Sequence, residues 1–289
     1  MISDDVLKIE KLKFSIGRGK KAFSLNDISF SVPRGCVTGL IGENGAGKTT
    51  LIRLLLDMYL PESGKIFLFG DELKRENVEI KEKIGFVIND NFFSPLYTAK
   101  KAGKFLAGIY KNWNQELYKK YLNDFKIPPS RLLTALSSGT MQKLQIAIAL
   151  SHGAELLILD EPLNFLDPVS KKEFLDLLRN FMLDENHSIL ISSHQTNELE
   201  KICDEIIFIS EGKKVFDSSL ENINKNYGLL KIDEKTFKSF YSNDYIGYRK
   251  TDYAYEVLVS DKGNQKFTGM VCEDASLEDI MYFYTRRKI

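Results

Sequence analysis

The hydrophobic positions of the chain change period several times, and each change predicts an element. From Ile28 to Val32 apolar residues alternate with serines, the period-2 pattern of a half-buried strand. Val37 to Ile41 is a short apolar run feeding a glycine-rich loop. After it, Leu51, Ile52, Leu54, Leu55 and Met58 fall on one face of a helix that stops before Pro61-Glu62-Ser63-Gly64. That turn leads to a strand over Ile66 to Phe69. Three more apolar runs, Ile84 to Ile88, Leu156 to Leu159 and Ile189 to Ser192, predict buried strands. Strands and helices interleave, so the expected core is a largely parallel α/β sheet.

Between Ile88 and Leu136 the pattern predicts a mostly helical insertion, with helices over Ala102 to Lys111 and Gln115 to Phe125 and a close at Pro128-Pro129. Its first residues, Asn91-Phe92-Phe93-Ser94-Pro95-Leu96-Tyr97, are aromatic enough for either core packing or a docking surface, and core packing is preferred. Residues 206–216 read as a hairpin. The text beyond it is polar and rich in Asn, Lys and Tyr, with strand-like alternation around Tyr253 to Val259. It ends in a helix that has Ser276 and Asp279 at capping spacing and Leu277, Ile280, Met281 and Tyr284 on one face. Residues 220–289 are therefore expected to form a small α+β appendage.

Length agrees, since 289 residues suit one main domain and an accessory one. Lysine plus arginine equal aspartate plus glutamate at 40 each, interspersed, so no basic field points to a nucleic-acid partner. Cys36, Cys203 and Cys272 lie far apart, which argues against a disulfide framework or a zinc knuckle and fits a reducing compartment. The apolar runs fall far short of the roughly 20 residues that span a bilayer. The beginning, MISDDVLKIEK, has no secretory pattern. Membrane contact is expected only through a partner.

The chemistry starts at Gly42-Glu-Asn-Gly45-Ala-Gly47-Lys48-Thr49, which matches G-x-x-x-x-G-K-[ST] between a predicted strand and a predicted helix. Glycines let successive N–H groups turn toward anionic oxygens, the helix N-terminus adds positive dipole, Lys48 reaches the β and γ phosphates and the Thr49 hydroxyl suits Mg²⁺. A chance match in a chain of this size is expected about once in a hundred. In ELLILDEP, residues 155–162, an acid ends a buried strand at the sheet edge where α/β folds bind ligands. Asp160 there is expected to hold Mg²⁺ and Glu161 to polarise the attacking water; the plainer reading is a helix-capping acid pair. His194, ending the next apolar strand, should open on the same edge and bridge γ phosphate and water. His152 in Ser151-His152-Gly153 suits a helix C-terminus, and His187 gets no role.

Ser137, Ser138 and Gly139, at the start of LSSGTMQKLQIAIAL, offer hydroxyls, free N–H groups and dipole to an anion. Alone, they are equally what an ordinary N-cap needs.

Taken together, GENGAGKTT, LSSGTMQKLQIAIAL, LLILDEP, LNFLDP and ISSH, in this order over about residues 5–217, resemble the nucleotide-binding subunit of an ATP-binding cassette (ABC) transporter. The resemblance implies a P-loop NTPase fold of ABC-ATPase type: a mostly parallel core sheet, an antiparallel N-terminal β part and a helical insertion over about 90–145. It implies a nucleotide-binding domain over 1–219, followed by the accessory domain. ATP and Mg²⁺ are the implied cofactors, with Gly42, Asn44, Gly45, Ala46, Gly47, Lys48, Thr49, Thr50, Asn89 and Asp160 around the nucleotide and Thr49, Asn89 and Asp160 toward the metal. Glu161 and His194 are the implied catalytic pair. In such proteins two cassettes stack head to tail, so Ser137 and Gly139 would touch the γ phosphate held by a second cassette subunit while Asp167 lines the seam. The implied further partner is an integral membrane permease at the cytoplasmic face of a bacterial membrane.

Four positions depart from the family pattern: Ser138, Thr140, Asn89 and Ile16. LSGGQ is here Leu136-Ser137-Ser138-Gly139-Thr140, and the usual glutamine is Asn89, one methylene shorter. The aromatic that covers adenine falls near Ile16, with Phe14 and Phe23 as neighbours. The final helix is similar to that of bacterial exporter-type subunits linked to drugs, bacteriocins and toxic peptides, so an exporter is expected. The alternatives are a soluble non-transport ABC ATPase and a weakly hydrolysing regulatory subunit.

Overall fold

Five short strands of nearly continuous apolar residues cannot be covered from one side only, and in the computed structural model they form the buried centre of a six-stranded sheet. Residues 5–17, 19, 22–90 and 93–286 are described. The central strands are β3 (Val37–Ile41), β6 (Ile84–Val87), β7 (Leu156–Asp160), β8 (Ser188–Ser193) and β9 (Glu205–Ser210), and β10 (Lys213–Ser219) closes one edge. The order is β10-β9-β3-β8-β7-β6. All neighbours are parallel except the β9/β10 hairpin.

A second sheet, antiparallel, is made by β1 (Asp5–Ile16), β2 (Phe23–Pro33), β4 (Ser63–Leu68) and β5 (Asp71–Glu72) in the order β2-β1-β4-β5. Ile28, Phe30 and Val32 face the core as their alternation predicts. Between the two sheets packs α1 (Lys48–Leu55), with Leu51, Ile52, Leu54 and Leu55 buried. Met58 does not continue that face: Asp57 turns left-handed after the helix, and Met58 is 37% exposed. A short α2 (Val78–Glu82) precedes β6.

The insertion carries α3 (Ala99–Leu106) and α4 (Gln115–Asp124), each N-capped by a side chain, Thr98 and Asn114. α3 is shorter at its far end than the predicted Ala102 to Lys111 because the chain turns at Ala107-Gly108. Both helices share a core with α5 (Ser138–Ala149), built around the buried Tyr118. Phe93 and Tyr97 stack and pack against this core, as the core-packing expectation requires. Asn91 and Phe92 lie outside the described residues. α6 (Pro168–Phe181) and α7 (Thr196–Leu199) cover the parallel sheet.

Beyond residue 219 come α8 (Leu220–Asn226), β11 (Gly228–Ile232), α9 (Glu234–Phe237), β12 (Gly247–Lys250), β13 (Tyr255–Val259), β14 (Val271–Asp274) and α10 (Leu277–Thr285). The strands form an antiparallel sheet in the order β12-β13-β11-β14. Ser276 and Asp279 make the reciprocal capping box that their spacing predicts. Leu277, Ile280 and Phe283 join the same apolar cluster as Leu199 and Phe208, so the appendage shares a core with the parallel sheet.

Candidate active site

Parallel strands put all their carboxyl ends on one edge, and here that edge collects the candidate chemistry from neighbours β3, β8, β7 and β6. β3 runs into the glycine loop, β8 into His194, β7 ends at Asp160 with Glu161 next, and β6 leads to Asn89. A cavity of about 520 Å³ opens there, lined in part by Asn44, Gly45, Gly47, Lys48, Thr49, Thr50, Asn89, Glu161 and His194. Its size falls within the range of small-molecule sites.

The loop is shaped for an anion. Gly47 holds the N-cap of α1 at φ 112, and a Cβ there would lie 2.6 Å from the Phe23 ring, so a side chain is excluded twice over. α1 has no side-chain cap and no acid in its first turn, leaving its leading N–H groups for a ligand. Ala46 is buried under the loop and is not among the residues lining the cavity.

Lys48 is 6% exposed, so its ammonium needs partners. Nζ donates to the carbonyls of Gly42 (2.7 Å) and Glu43 (3.3 Å) and pairs with Glu161 Oε1 at 3.4 Å. These oxygens occupy donors that phosphate oxygens would take. Thr49 Oγ1 donates to Asp160 Oδ2 at 2.7 Å, and Ser192 Oγ donates to Asp160 Oδ1 at 2.6 Å. Ser192 Oγ also accepts from the Glu161 N–H at 3.0 Å, tying β7 to β8 at the point where the acids emerge.

Glu161 combines burial, at 9% exposed, with a left-handed backbone at φ 50, unusual for a residue with a side chain. The neighbours hold it there: its carboxylate meets Lys48 on one side and His194 Nδ1 at 2.9 Å on the other. A buried carboxylate beside an imidazole and an ammonium can accept a proton from a water polarised in the same cavity.

The donors fit Mg²⁺. Thr49 and Asp160 present oxygens at one point, Asn89 lines the same cavity, and among the described residues no group of three or more His, Cys, Asp or Glu could hold a metal. Mg²⁺ ordinarily binds through one or two carboxylates plus substrate phosphates and water, so a sparse protein set is what it needs.

Comparison with known proteins decides the family. The family model described as "ABC transporter" matches residues 25–164. A lantibiotic transport ATP-binding protein of Streptococcus pyogenes is 35% identical over 241 residues, covering 80% of this chain and 99% of that one. The chain belongs to the ABC transporter ATP-binding family. A bacitracin transport ATP-binding protein of Bacillus licheniformis is 35% identical over 206 residues, covering 70% of this chain and 67% of the relative. A solved ATP-binding subunit of an ABC transporter superposes with TM-score 0.66 at 25% identity, over 76% of this chain and 92% of that one. As a member of this family the chain is an ATPase that works on ATP with Mg²⁺.

Within this ABC ATPase, Ser137 and Gly139 stand apart from the cavity that Lys48 lines. Ser137 is exposed as the N-cap of α5, accepts from the Thr140 N–H and shares a hydrogen bond of 2.8 Å with the Thr140 hydroxyl. A Cβ on Gly139 would come within 2.6 Å of the Phe165 carbonyl oxygen, so the turn packs on the segment before Asp167. Asp167 caps α6 and accepts from Val169 N, Ser170 N and Ser170 Oγ; the Ser170 bonds hold its carboxyl below the usual range.

Of the candidates for covering adenine, Ile16 and Phe23 line the cavity, whereas Phe14 is 9% exposed and stacks on Tyr59. Sequence reasoning missed Asn164, which also lines the cavity, and the bridging role of Ser192, although both serines of Ile191-Ser-Ser-His194 were in view. His152 sits at the C-terminus of α5 as expected, with Gly153 left-handed after it, and it is buried there: its ring nitrogens face the carbonyls of Ile148 and Ile84, and it stacks on Tyr110.

Proposed function

We propose that this chain is the energising subunit of a bacterial exporter-type ABC transporter, and that two cassettes close around ATP with each nucleotide shared between chains. The observation that carries this reading is the separation of two anion-seeking helix starts: α1 opens on the Lys48 cavity, and the exposed α5 start lines none of it. A phosphate lying on Lys48 is completed by Ser137 and Gly139 from a second cassette, with Asp167 at the seam. Residues 1–219 form the nucleotide-binding domain and 220–289 the accessory domain.

In this reading Lys48 and the loop N–H groups hold the phosphates, displacing the contacts of Lys48 with Glu161. Glu161, freed on one side, takes the proton of the attacking water, and His194 orients that water and the γ phosphate. Thr49, Asp160 and Asn89 are the residues that would hold Mg²⁺, which would neutralise charge on the phosphate oxygens. Loss of the γ phosphate removes the shared ligand and lets the dimer open.

No helix among the described residues is long and apolar enough to cross a membrane. In this reading the subunit sits at the cytoplasmic face through an integral permease. The bacitracin and lantibiotic names of relatives favour a peptide antibiotic as cargo. The dimer is tested by light scattering of the Glu161→Gln protein: a dimer with MgATP and a monomer with MgADP support it, and a monomer in both opposes it.

A further inference from the structure

We propose that Gln145 is a positioning residue that fixes Asn89 in the active site, a role resting on the reading of Asn89 as a residue toward Mg²⁺ or water. β6 ends at Val87, so the backbone beyond it leaves the ladder and its polar groups need new partners. One side chain supplies two of them. Gln145 Oε1 accepts from the Ile88 N–H at 3.2 Å, and Nε2 donates to the Asp90 carbonyl at 3.1 Å. The two bonds bracket Asn89.

The chemistry fixes which way the amide points. An N–H requires the oxygen and a carbonyl requires the NH₂, so a flipped amide would lose both bonds. From the opposite side Arg53 of α1 pairs with the Asp90 carboxylate at 2.8 Å. The segment is thus held between the helix that begins at Lys48 and the helix that begins beside Ser137. Asn89 itself is exposed and lines the cavity.

Such a clamp matters because an asparagine has little reach of its own. A glutamine can search for a metal-bound water with an extra torsion; an asparagine depends on where its backbone is placed. Gln145 also borders a smaller, largely apolar cavity of about 170 Å³ with Phe93, Phe105 and Tyr110, a setting in which its hydrogen bonds are strengthened.

The test uses the full chain carrying Gln145→Leu, Gln145→Glu, Asn89→Ala and the pair Gln145→Leu/Asn89→Gln. Loss of the clamp should speed hydrogen exchange at Ile88 and weaken Mn²⁺ binding in the presence of ADP, each by about tenfold, and lower kcat similarly with KM for ATP nearly unchanged. The longer side chain in the pair should restore Mn²⁺ affinity. Gln145→Glu keeps the shape and the acceptor for Ile88 but loses the donor to the Asp90 carbonyl, so it covers the case in which the leucine variant does not fold, with Mn²⁺ affinity as its readout.

Unchanged Mn²⁺ affinity in a folded Gln145 variant, or unchanged Ile88 exchange in a folded Gln145→Leu protein, overturns the proposal. If Asn89→Ala is also without effect on Mn²⁺ affinity, the assignment of Asn89 fails with it; if Asn89→Ala weakens Mn²⁺ while Gln145 variants do not, only the clamp fails.

Discussion

Glu161 Oε2 lies 2.9 Å from His194 Nδ1, while the other oxygen of the same carboxylate lies 3.4 Å from Lys48 Nζ. One buried carboxylate therefore connects the lysine of the glycine loop to the histidine at the end of the next strand. Glu161→Gln keeps the shape and removes the base, so hydrolysis should slow by about 10²- to 10⁴-fold with ATP affinity retained. Steady-state turnover alongside equilibrium nucleotide binding checks this, and an unaltered turnover would take Glu161 out of the mechanism.

Lys48→Ala should act differently. The buried ammonium lines the cavity at the head of α1, and its loss leaves the Glu161 carboxylate with His194. ATP binding and turnover should both collapse. Calorimetric titration with ATP measures the first; a variant that binds normally but hydrolyses slowly would reassign Lys48 from binding to chemistry.

Gly139→Ala places a methyl 2.6 Å from a backbone carbonyl that cannot swing aside. The clash should cost about 1–3 kcal/mol and displace the start of α5 from the Phe165 segment. We expect a lower melting temperature, normal ATP binding and impaired turnover. Full activity at an unchanged melting temperature would mean that the contact is slack.

His152 contributes a pH dependence of stability whose sign follows from its burial. Burial pushes its imidazole below the ordinary value of 6.5, against the pull of the Ile148 and Ile84 carbonyls. The unfolded chain therefore takes this proton first as pH falls. The stability associated with a neutral His152 is fully present above about pH 6.5 and is lost on acidification below it. Thermal unfolding of the wild type should show a steeper acid decline than His152→Phe; parallel pH profiles would refute the assignment.

How much of this could be read from the sequence follows from how local each signal is. The glycine loop, Asp160 and His194 were legible because each follows an apolar run whose strand character is itself legible, and parallel pairing then carries them to one edge. The helix face was overextended to Met58 because a period does not show where Asp57 turns left-handed. Phe14 and Phe23 look alike in sequence, yet the register of β1 against β2 and β4 sends one under Tyr59 and the other toward Gly47. Gln145 gave no signal, since a lone glutamine in a helix is ordinary until the segment from Ile88 to Asp90, more than fifty residues earlier, folds against it. Pairing of β11 with both β13 and β14 was equally hidden, being set by contacts between distant segments.

The shared nucleotide is tested most directly by mixing two inactive proteins, Lys48→Ala and Ser137→Arg. If each site is built from two chains, either variant alone damages both sites of its own dimer, whereas a mixed dimer unites the intact lysine of one chain with the intact serine of the other. ATPase activity should reappear on mixing and vary with the ratio of the two proteins. Activity that stays at the sum of the separate variants, with mixed dimers demonstrably formed, would contradict a site built from two chains.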